Sequence, residues 1–274
     1  MTLLDLRSVI PSEARNLSCI FTRSHLVKSF LALALLLFTF SLRAQAPQPV
    51  PLARGNTPGE PHHHLKIEND YVRAYFVEVP PHSDTQLHQH DHDYFYVSLG
   101  ASDLVNAPAG KPEAHLTLKD EESHFTLGGF AHVARNLSDR PFKNITVEFL
   151  RPQNAPRNRC EKIIATASLG PCMVERRVNS YTISPWFETD EVRVDFVELL
   201  AKARFQDIPG MDRLVVTFDQ SQLNVESQGK PAAALKGGNL LWLTHGVLQK
   251  FSNQGEHPSH FLLFNFKDSA PSRK

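Results

Sequence analysis

The residues best suited to chemistry in this chain are histidines, and they form two clusters. His88, His90 and His92 alternate with other residues in a short run, and His132 lies further along in an apolar stretch after a glycine pair. Successive side chains of a β-strand point to opposite faces, so His88 and His90 can direct two imidazoles at one point. Neutral imidazole is a common ligand of transition metals. The spacing therefore predicts a metal site held by His88, His90 and His132.

The first cluster resembles the first signature motif of the cupin superfamily. That motif combines His-x-His, an acidic residue and a glycine, and His88, His90 and Gly100 match it. The acidic residue of the family is a glutamate. Asp93 has its spacing to Gly100 but is shorter and one position closer to the histidines. The resemblance implies Asp93 as a fourth metal ligand, and His92, which shares the parity of the two histidines, is the alternative.

The second cluster is similar to the second cupin motif, Pro-x-Gly-x-x-His-x-x-x-Asn. Gly129, His132 and Asn136 match this spacing, while Leu127 takes the place of the proline. The resemblance implies an all-β fold of tandem cupin barrels, which are double-stranded β-helix or jelly-roll structures. It also implies one divalent transition metal, with iron or manganese favoured and zinc, nickel or copper left open.

The chain contains two copies of one unit. Residues 68–79 align with residues 188–199 with seven identities in twelve positions. Gly129 and Asn136 align with Gly246 and Asn253 at an offset of 117 residues, against 120 for the first pair of segments. Short apolar or alternating runs recur in both copies, separated by Gly, Pro, Asp and Asn, which predicts strands and turns. The predicted strands include residues 94–99, 144–150, 213–218 and 260–267.

The alignment indicates that only the first copy keeps its site. Asp207, Pro209 and Gln249 stand opposite the three histidines. We therefore expect residues 65–152 to form a metal-binding cupin domain and residues 184–268 to form a degenerate one that is structural or makes a homodimer. Residues 47–64 and 153–183 are interpreted as linkers.

Residues 1–46 have the features of a secretory signal peptide. Basic residues precede an apolar stretch at 30–40, and Ala44-Gln45-Ala46 is a small-x-small cleavage site. The stretch is shorter than the roughly 20 residues of a membrane span. We therefore expect an exported protein, periplasmic or secreted, without a stable membrane span after cleavage. In an oxidising compartment Cys160 and Cys172 are expected to form a disulfide, the alternative being two free buried thiols.

The charge of the chain excludes one class of partner. Without residues 1–46 the chain has 24 Lys and Arg residues against 27 Asp and Glu residues, and no basic run. We expect no nucleic-acid binding, because such proteins carry clustered positive charge. A small-molecule ligand or substrate is the expected partner.

The remaining polar side chains give no identifiable catalytic acid or base. Tyr94 and Tyr96 follow the first histidine cluster and are candidates for the substrate pocket, with packing as the alternative. The tract at 62–64 is interpreted as an exposed lead-in, and His115 and His124 as strand surface residues. The resemblance implies a metal-dependent, dioxygenase-type enzyme. A non-catalytic metal or small-molecule (sugar-like) binding protein and a cupin isomerase remain alternatives.

Overall fold

The computed structural model describes residues 55–159, 163–164 and 176–267. These residues form β-strands, one short 3-10 helix and connecting turns, and this part of the chain has no α-helix. The all-β prediction is confirmed. No helix within these ranges is long and apolar enough to cross a membrane. The predicted signal peptide and the predicted disulfide between Cys160 and Cys172 lie outside the described residues.

The first repeat contains ten strands and the 3-10 helix Thr57–Gly59. The strands are β1 (Gly55–Asn56), β2 (His63–Glu68), β3 (Val72–Val79), β4 (His88–His90), β5 (Tyr94–Ser98), β6 (Ser102–Pro108), β7 (Ala114–Leu118), β8 (Ser123–Thr126), β9 (Phe130–Asn136) and β10 (Phe142–Phe149). Three short strands follow, β11 (Arg157–Asn158), β12 (Ile163–Ile164) and β13 (Arg176–Val178). One sheet has the order β1-β4-β9-β6-β7 and the other β12-β8-β5-β10-β3-β2.

The second repeat contains the remaining nine strands. They are β14 (Tyr181–Glu188), β15 (Val192–Leu199), β16 (Arg204–Asp207), β17 (Asp212–Thr217), β18 (Gln222–Ser227), β19 (Ala233–Lys236), β20 (Leu240–Leu243), β21 (Gln249–Ser252) and β22 (Ser259–Phe266). One sheet has the order β11-β14-β15-β22-β17-β20, with β13 paired to β14, and the other β16-β21-β18-β19. Each repeat is thus a pair of facing sheets, the jelly-roll arrangement.

The duplication seen in the sequence is present in the hydrogen bonds. The side-chain amide of Asn136 donates to the carbonyl oxygens of Val79, Pro80 and Arg140. In the second repeat the amide of Asn253 makes three matching bonds. The acceptors there are Leu199, Leu200 and His257. Both asparagines therefore fix the same chain crossing, and the conserved spacing reflects a structural role.

The strands follow from residue patterns that bury one face or both. In β3 and β15 the burial pattern is identical residue by residue, and both central strands carry Val, Phe and other residues that favour sheets. The outer faces of the two larger sheets share one apolar core. Phe95, Phe125 and Phe149 of the first repeat contribute to it with Phe187 and Phe264 of the second. This shared core joins the two barrels. The interior of each barrel has a separate cluster of side chains.

The described part of the predicted N-terminal linker belongs to the first barrel. Strand β1 runs parallel to β4, with Gly55 opposite His88. The start of β2 pairs with β3, with His63 opposite Val77. The segment before residue 65 therefore lies against the strand that carries the first histidine cluster. In the second repeat, β14 begins at Tyr181, within the other predicted linker.

Candidate metal centre

Three histidines that the sequence singled out lie together in the first barrel. His88 and His90 are the two inward residues of β4, and His132 on β9 is directly opposite His88 in the antiparallel ladder. The ring centroids of His88 and His132 are 4.5 Å apart, and those of His90 and His132 are 5.3 Å apart. Two neighbouring strands thus bring residues from both motifs to one place inside the barrel.

A fourth histidine, His63 on β2, completes the cluster. Its ring centroid lies 4.6 Å from that of His88 and 5.8 Å from that of His90. One potential ligand atom from each of these three residues lies within 4.8 Å of the others. The His63 side chain is only 5% exposed, so the interpretation of the tract at 62–64 as an exposed lead-in was wrong for this residue. His64 is exposed, as expected for the next residue of a strand.

Each of the four rings uses Nδ1 to contact an oxygen atom. Because a carboxylate or carbonyl oxygen only accepts, Nδ1 carries the proton in each case and Nε2 is left as the unprotonated atom. The contacts are His63 to the Glu60 carboxylate at 2.6 Å, His88 to the Gln86 carbonyl at 2.8 Å, His90 to the Glu148 carboxylate at 2.9 Å and His132 to the Asn106 amide oxygen at 2.7 Å. Outer partners of this kind orient histidine ligands in metal sites.

Two of the Nε2 atoms are buried without a hydrogen-bond partner among the described residues. The Nε2 atoms of His88 and His132 are buried and make no hydrogen bond to the described part of the protein. A buried polar atom without a partner costs free energy, so native structures rarely keep one. A divalent cation bound between the rings would satisfy both atoms. The residues present therefore fit a metal ion.

The surroundings of His63, His88 and His132 favour the neutral imidazole, the form that metal ligation requires. Burial and the neighbouring His63 lower the pKa of His88 to about 4. Burial, with the nearby His88 and His90, holds the pKa of His132 well below its usual value. Burial also lowers the pKa of His63, against the effect of Glu60. Although burial opposes ionisation of Glu60, its contacts with His63 and two backbone N–H groups lower the pKa of that carboxyl.

Asp93 and His92, the two sequence-predicted candidates for a fourth ligand, are placed differently. Asp93 Oδ1 accepts the backbone N–H of Gly128 at 3.0 Å. A Cβ atom at Gly128 would lie 2.4 Å from the backbone of His92, so only glycine fits at this turn. Neither Asp93 nor His92 is among the described residues that line the barrel cavity. Asp93 thus holds the turn that leads into β9 and His132.

The cluster lies in the wall of a cavity of about 470 Å³ within the first barrel. Much of the remaining wall is apolar, with Val77, Val79, Leu104, Leu118 and Phe142. Tyr94 and Tyr96 also line it, so the structure places both pocket candidates of the sequence there. A volume of this size is typical of a small-molecule site.

A column of stacked rings leads away from the cluster along β5 and β8 of the six-stranded sheet. His90 stacks on Tyr94 with centroids 4.3 Å apart, and Tyr94 lies 6.3 Å from Tyr96. Tyr96 stacks in turn on His124 at 4.6 Å and 6°. His115 is exposed, as predicted, but the His124 side chain is only 12% exposed, so its interpretation as a surface residue was wrong.

The second barrel has a charged network where the first has histidines. Its ladder places Asp207 opposite Gln249, as the first barrel places His88 opposite His132. Arg213 Nη1 lies 3.0 Å from both carboxylate oxygens of Asp207. Arg213 Nε donates to the Asn265 amide oxygen at 2.8 Å. These polar groups satisfy each other without a metal ion.

The lumen of the second barrel is filled by aromatic rings. Phe251 stacks on Phe205 at 4.6 Å and on Phe261 at 5.7 Å. By the ladder registers, Phe251 takes the place of Ala134, and Phe261 that of Asn144, both of which line the cavity of the first barrel. The larger side chains occupy the space that the first barrel leaves open.

Comparison with known proteins establishes the fold. No protein-family model and no curated protein sequence matches the chain. Similar solved structures include AerE from Microcystis aeruginosa, with a TM-score of 0.54, 10% identity, and coverage of 76% of this chain and 99% of that one. A salicylate 1,2-dioxygenase variant from Pseudoaminobacter salicylatoxidans in complex with gentisate has a TM-score of 0.53 and 14% identity, and the match covers 78% of this chain and 76% of that one. An oxalate decarboxylase has a TM-score of 0.50 and 8% identity, and the match covers 81% of this chain and 79% of that one. The chain therefore has the two-barrel cupin fold, which confirms the fold implied by the histidine motifs.

Proposed function

We propose that this protein is an exported metal-dependent enzyme whose first barrel holds one divalent transition metal. His63, His88, His90 and His132 supply the ligands through Nε2. The observation that carries the proposal is the common use of Nδ1 for outer hydrogen bonds, which leaves Nε2 of each of the four clustered rings as a potential ligand atom. The reaction proposed is of dioxygenase type on a small oxygenated organic molecule.

The donor set narrows the choice of metal. Four neutral imidazoles suit iron, nickel, copper and zinc, whereas manganese prefers carboxylate and water ligands. Of the two metals that the cupin resemblance favours, this supports iron. The Glu60 and Glu148 side chains are 0% and 2% exposed and contact two of the ligand rings. Their two negative charges would balance the charge of a dication in this buried place.

The residues around the cluster support turnover of a bound organic molecule. When bound, the ion would supply a Lewis acid for a substrate oxygen and, if it is iron, one-electron chemistry with O2. Glu148 and Asn106 hold the ring orientation and tautomer of His90 and His132. The apolar wall excludes water from the substrate, and the adjacent cavity has room for it. Two solved structures with this fold are named as a salicylate 1,2-dioxygenase and an oxalate decarboxylase, which agrees with small oxygenated substrates.

The first experiment measures metal content and O2 uptake on protein purified without an affinity tag. We expect one transition metal per chain. We also expect the iron-loaded protein to consume O2 with at least one of a panel of catechols, hydroxyacids and diketones. Both properties should be lost in His132→Ala and kept in His64→Ala, which removes an exposed histidine next to the cluster.

The non-catalytic alternative gives a different result in the same experiment. A binding protein would show saturable thermal stabilisation by one compound, of about 2.7 kcal/mol at a hundredfold excess over Kd, without O2 uptake. Two equivalents of metal per chain, or metal retained by His88→Ala/His132→Ala, would contradict the proposed site. An isomerase would bind metal and compound without O2 uptake, and product analysis identifies it.

A further inference from the structure

We propose that Glu122 and His124 form a second polar site in the cavity, which accepts a hydrogen bond from a phenolic or enolic O–H group of the ligand. The inference deepens the proposed function, because it takes the same cavity as the ligand site and names a chemical feature of the ligand. It does not depend on which metal is bound.

The geometry of the pair fixes which nitrogen of His124 is free to accept. His124 Nε2 lies 2.8 Å from Glu122 Oε1. The other oxygen of Glu122 accepts the backbone N–H of Lys119 at 3.0 Å, which holds the carboxylate in place. Because a carboxylate accepts, Nε2 is the protonated nitrogen, and Nδ1 of the neutral ring is an acceptor. Among the described residues, none hydrogen-bonds to this Nδ1.

The position of the pair suits ligand recognition. Both side chains are mostly buried, at 15% and 12% exposure, and both line the cavity. Tyr96 stacks on the His124 ring almost in parallel, which fixes the ring plane. Two tyrosine rings separate His124 from His90, so this polar site lies apart from the histidine cluster along one wall. A few fixed polar groups in an apolar cavity orient a ligand.

The carboxylate gives the acceptor its strength. Burial lowers the pKa of His124, and the hydrogen bond to Glu122 opposes this effect, so the ring is neutral and ready to accept at neutral pH. An acidic O–H donates a stronger hydrogen bond to Nδ1 than an aliphatic O–H does. The ring in turn donates to the Glu122 carboxylate, so the ligand O–H, the imidazole and the carboxylate form one hydrogen-bonded chain. This arrangement favours acidic hydroxyls over ethers and over aliphatic alcohols.

The test uses 4-nitrophenol as the probe, because its visible absorbance distinguishes the phenol from the phenolate. The full-length, metal-containing protein should bind it saturably at slightly acidic pH, with a shift towards the phenolate band. The methyl ether 4-nitroanisole has no O–H, and we expect it to bind at least about tenfold more weakly, the effect of one charge-assisted hydrogen bond.

Two variants separate the acceptor from its carboxylate partner. His124→Phe keeps a ring against Tyr96 but loses Nδ1, so 4-nitrophenol should bind about tenfold more weakly and the band should not shift. Glu122→Gln keeps an acceptor for Nε2–H but removes the charge, so binding should persist with a smaller shift. His257→Phe, an exposed histidine of the second repeat, should behave as wild type.

Two results would overturn the proposal: equal affinity of the wild type for the phenol and the ether, or unchanged phenol binding in His124→Phe. The comparison of the two probes on wild type decides the matter even if a variant does not fold. Metal content is measured on every sample. Loss of metal with probe discrimination intact would therefore count against the metal site and leave this inference standing.

Discussion

Arg213 of the second barrel occupies the ladder position that Tyr94 occupies in the first. Tyr94 lies opposite Glu148 on β10, and Arg213 lies opposite Asn265 on β22. The guanidinium group of Arg213 also contacts the Asp207 carboxylate. The first barrel therefore has a cluster of histidine rings in this region. The second barrel has the Arg213 cation there, with Asp207 and Asn265 as its hydrogen-bond acceptors.

The first prediction concerns the Arg213 network. Arg213→Met should lower the free energy of unfolding by about 2 kcal/mol, since it leaves the mostly buried Asp207 carboxylate without its partner. Chemical denaturation measures the change, and Arg204→Met at an exposed position of β16 is the control. Metal content of the first barrel should not change. Equal stability of the two variants would show that the network contributes nothing.

The second prediction identifies the fourth ligand. His63→Ala should weaken metal binding by more than about a hundredfold, beyond the usual effect of losing an outer hydrogen-bond partner. Competition with a chelator of known affinity measures this. His64→Ala and Asp93→Asn should keep the wild-type affinity, because His64 is exposed and Asp93 holds a turn. A large loss of affinity in Asp93→Asn would return the role to the aspartate that the sequence suggested.

The third prediction concerns the buried carboxylate behind His90. Glu148→Gln keeps the size of the side chain but removes its charge, so metal affinity should fall about tenfold. The same chelator competition applies, with the exposed Glu226→Gln as control. An unchanged affinity would mean that the charge of Glu148 does not support the ion.

The fourth prediction is a pH dependence of the metal-free protein. The folded-state pKa of His88 is about 4, against 6.5 for an unperturbed histidine, and that of His132 is also lowered. Between these pH values the unfolded chain binds more protons than the folded one. The free energy of unfolding should therefore fall as pH decreases from about 6.5 to about 4, by about 1.4 kcal/mol per pH unit for each histidine. Above this window the histidines add no pH dependence.

Urea denaturation of chelator-treated protein at several pH values measures this slope. Other groups also titrate in this range, so the comparison is with His88→Ala/His132→Ala, whose slope should be shallower. A wild-type slope no steeper than that of the double variant would contradict the assignment.

The fifth prediction concerns the two cysteines that remain after residue 46. We expect protein recovered from an oxidising compartment to contain a disulfide between Cys160 and Cys172. Thiol titration of unfolded, unreduced protein should detect no free thiol, and reduction should release two. Two reactive thiols before reduction would rule the disulfide out.

The sequence by itself determined the fold class, the duplication and three members of the histidine cluster. These features depend on local rules. Alternation on a strand places His88 and His90 on one face, and the motif spacing links them to His132. Loss of the three histidines from the second copy was also readable from the alignment of the repeats. Each motif and each aligned segment of the repeats is a short contiguous stretch of chain, so it can be recognised without knowing which strands pack together.

Only the tertiary structure decided the rest of the site. Three adjacent histidines at 62–64 carry no signal for which one faces inward, and the pairing of β2 with β3 selects His63. Glu148 reaches His90 across 58 residues of sequence because β10 and β4 belong to the two sheets of the barrel, which face each other. Asp93 has a ligand's spacing but is used at a turn. Burial, neighbours and free volume arise from packing between distant strands, and a single sequence does not encode them locally.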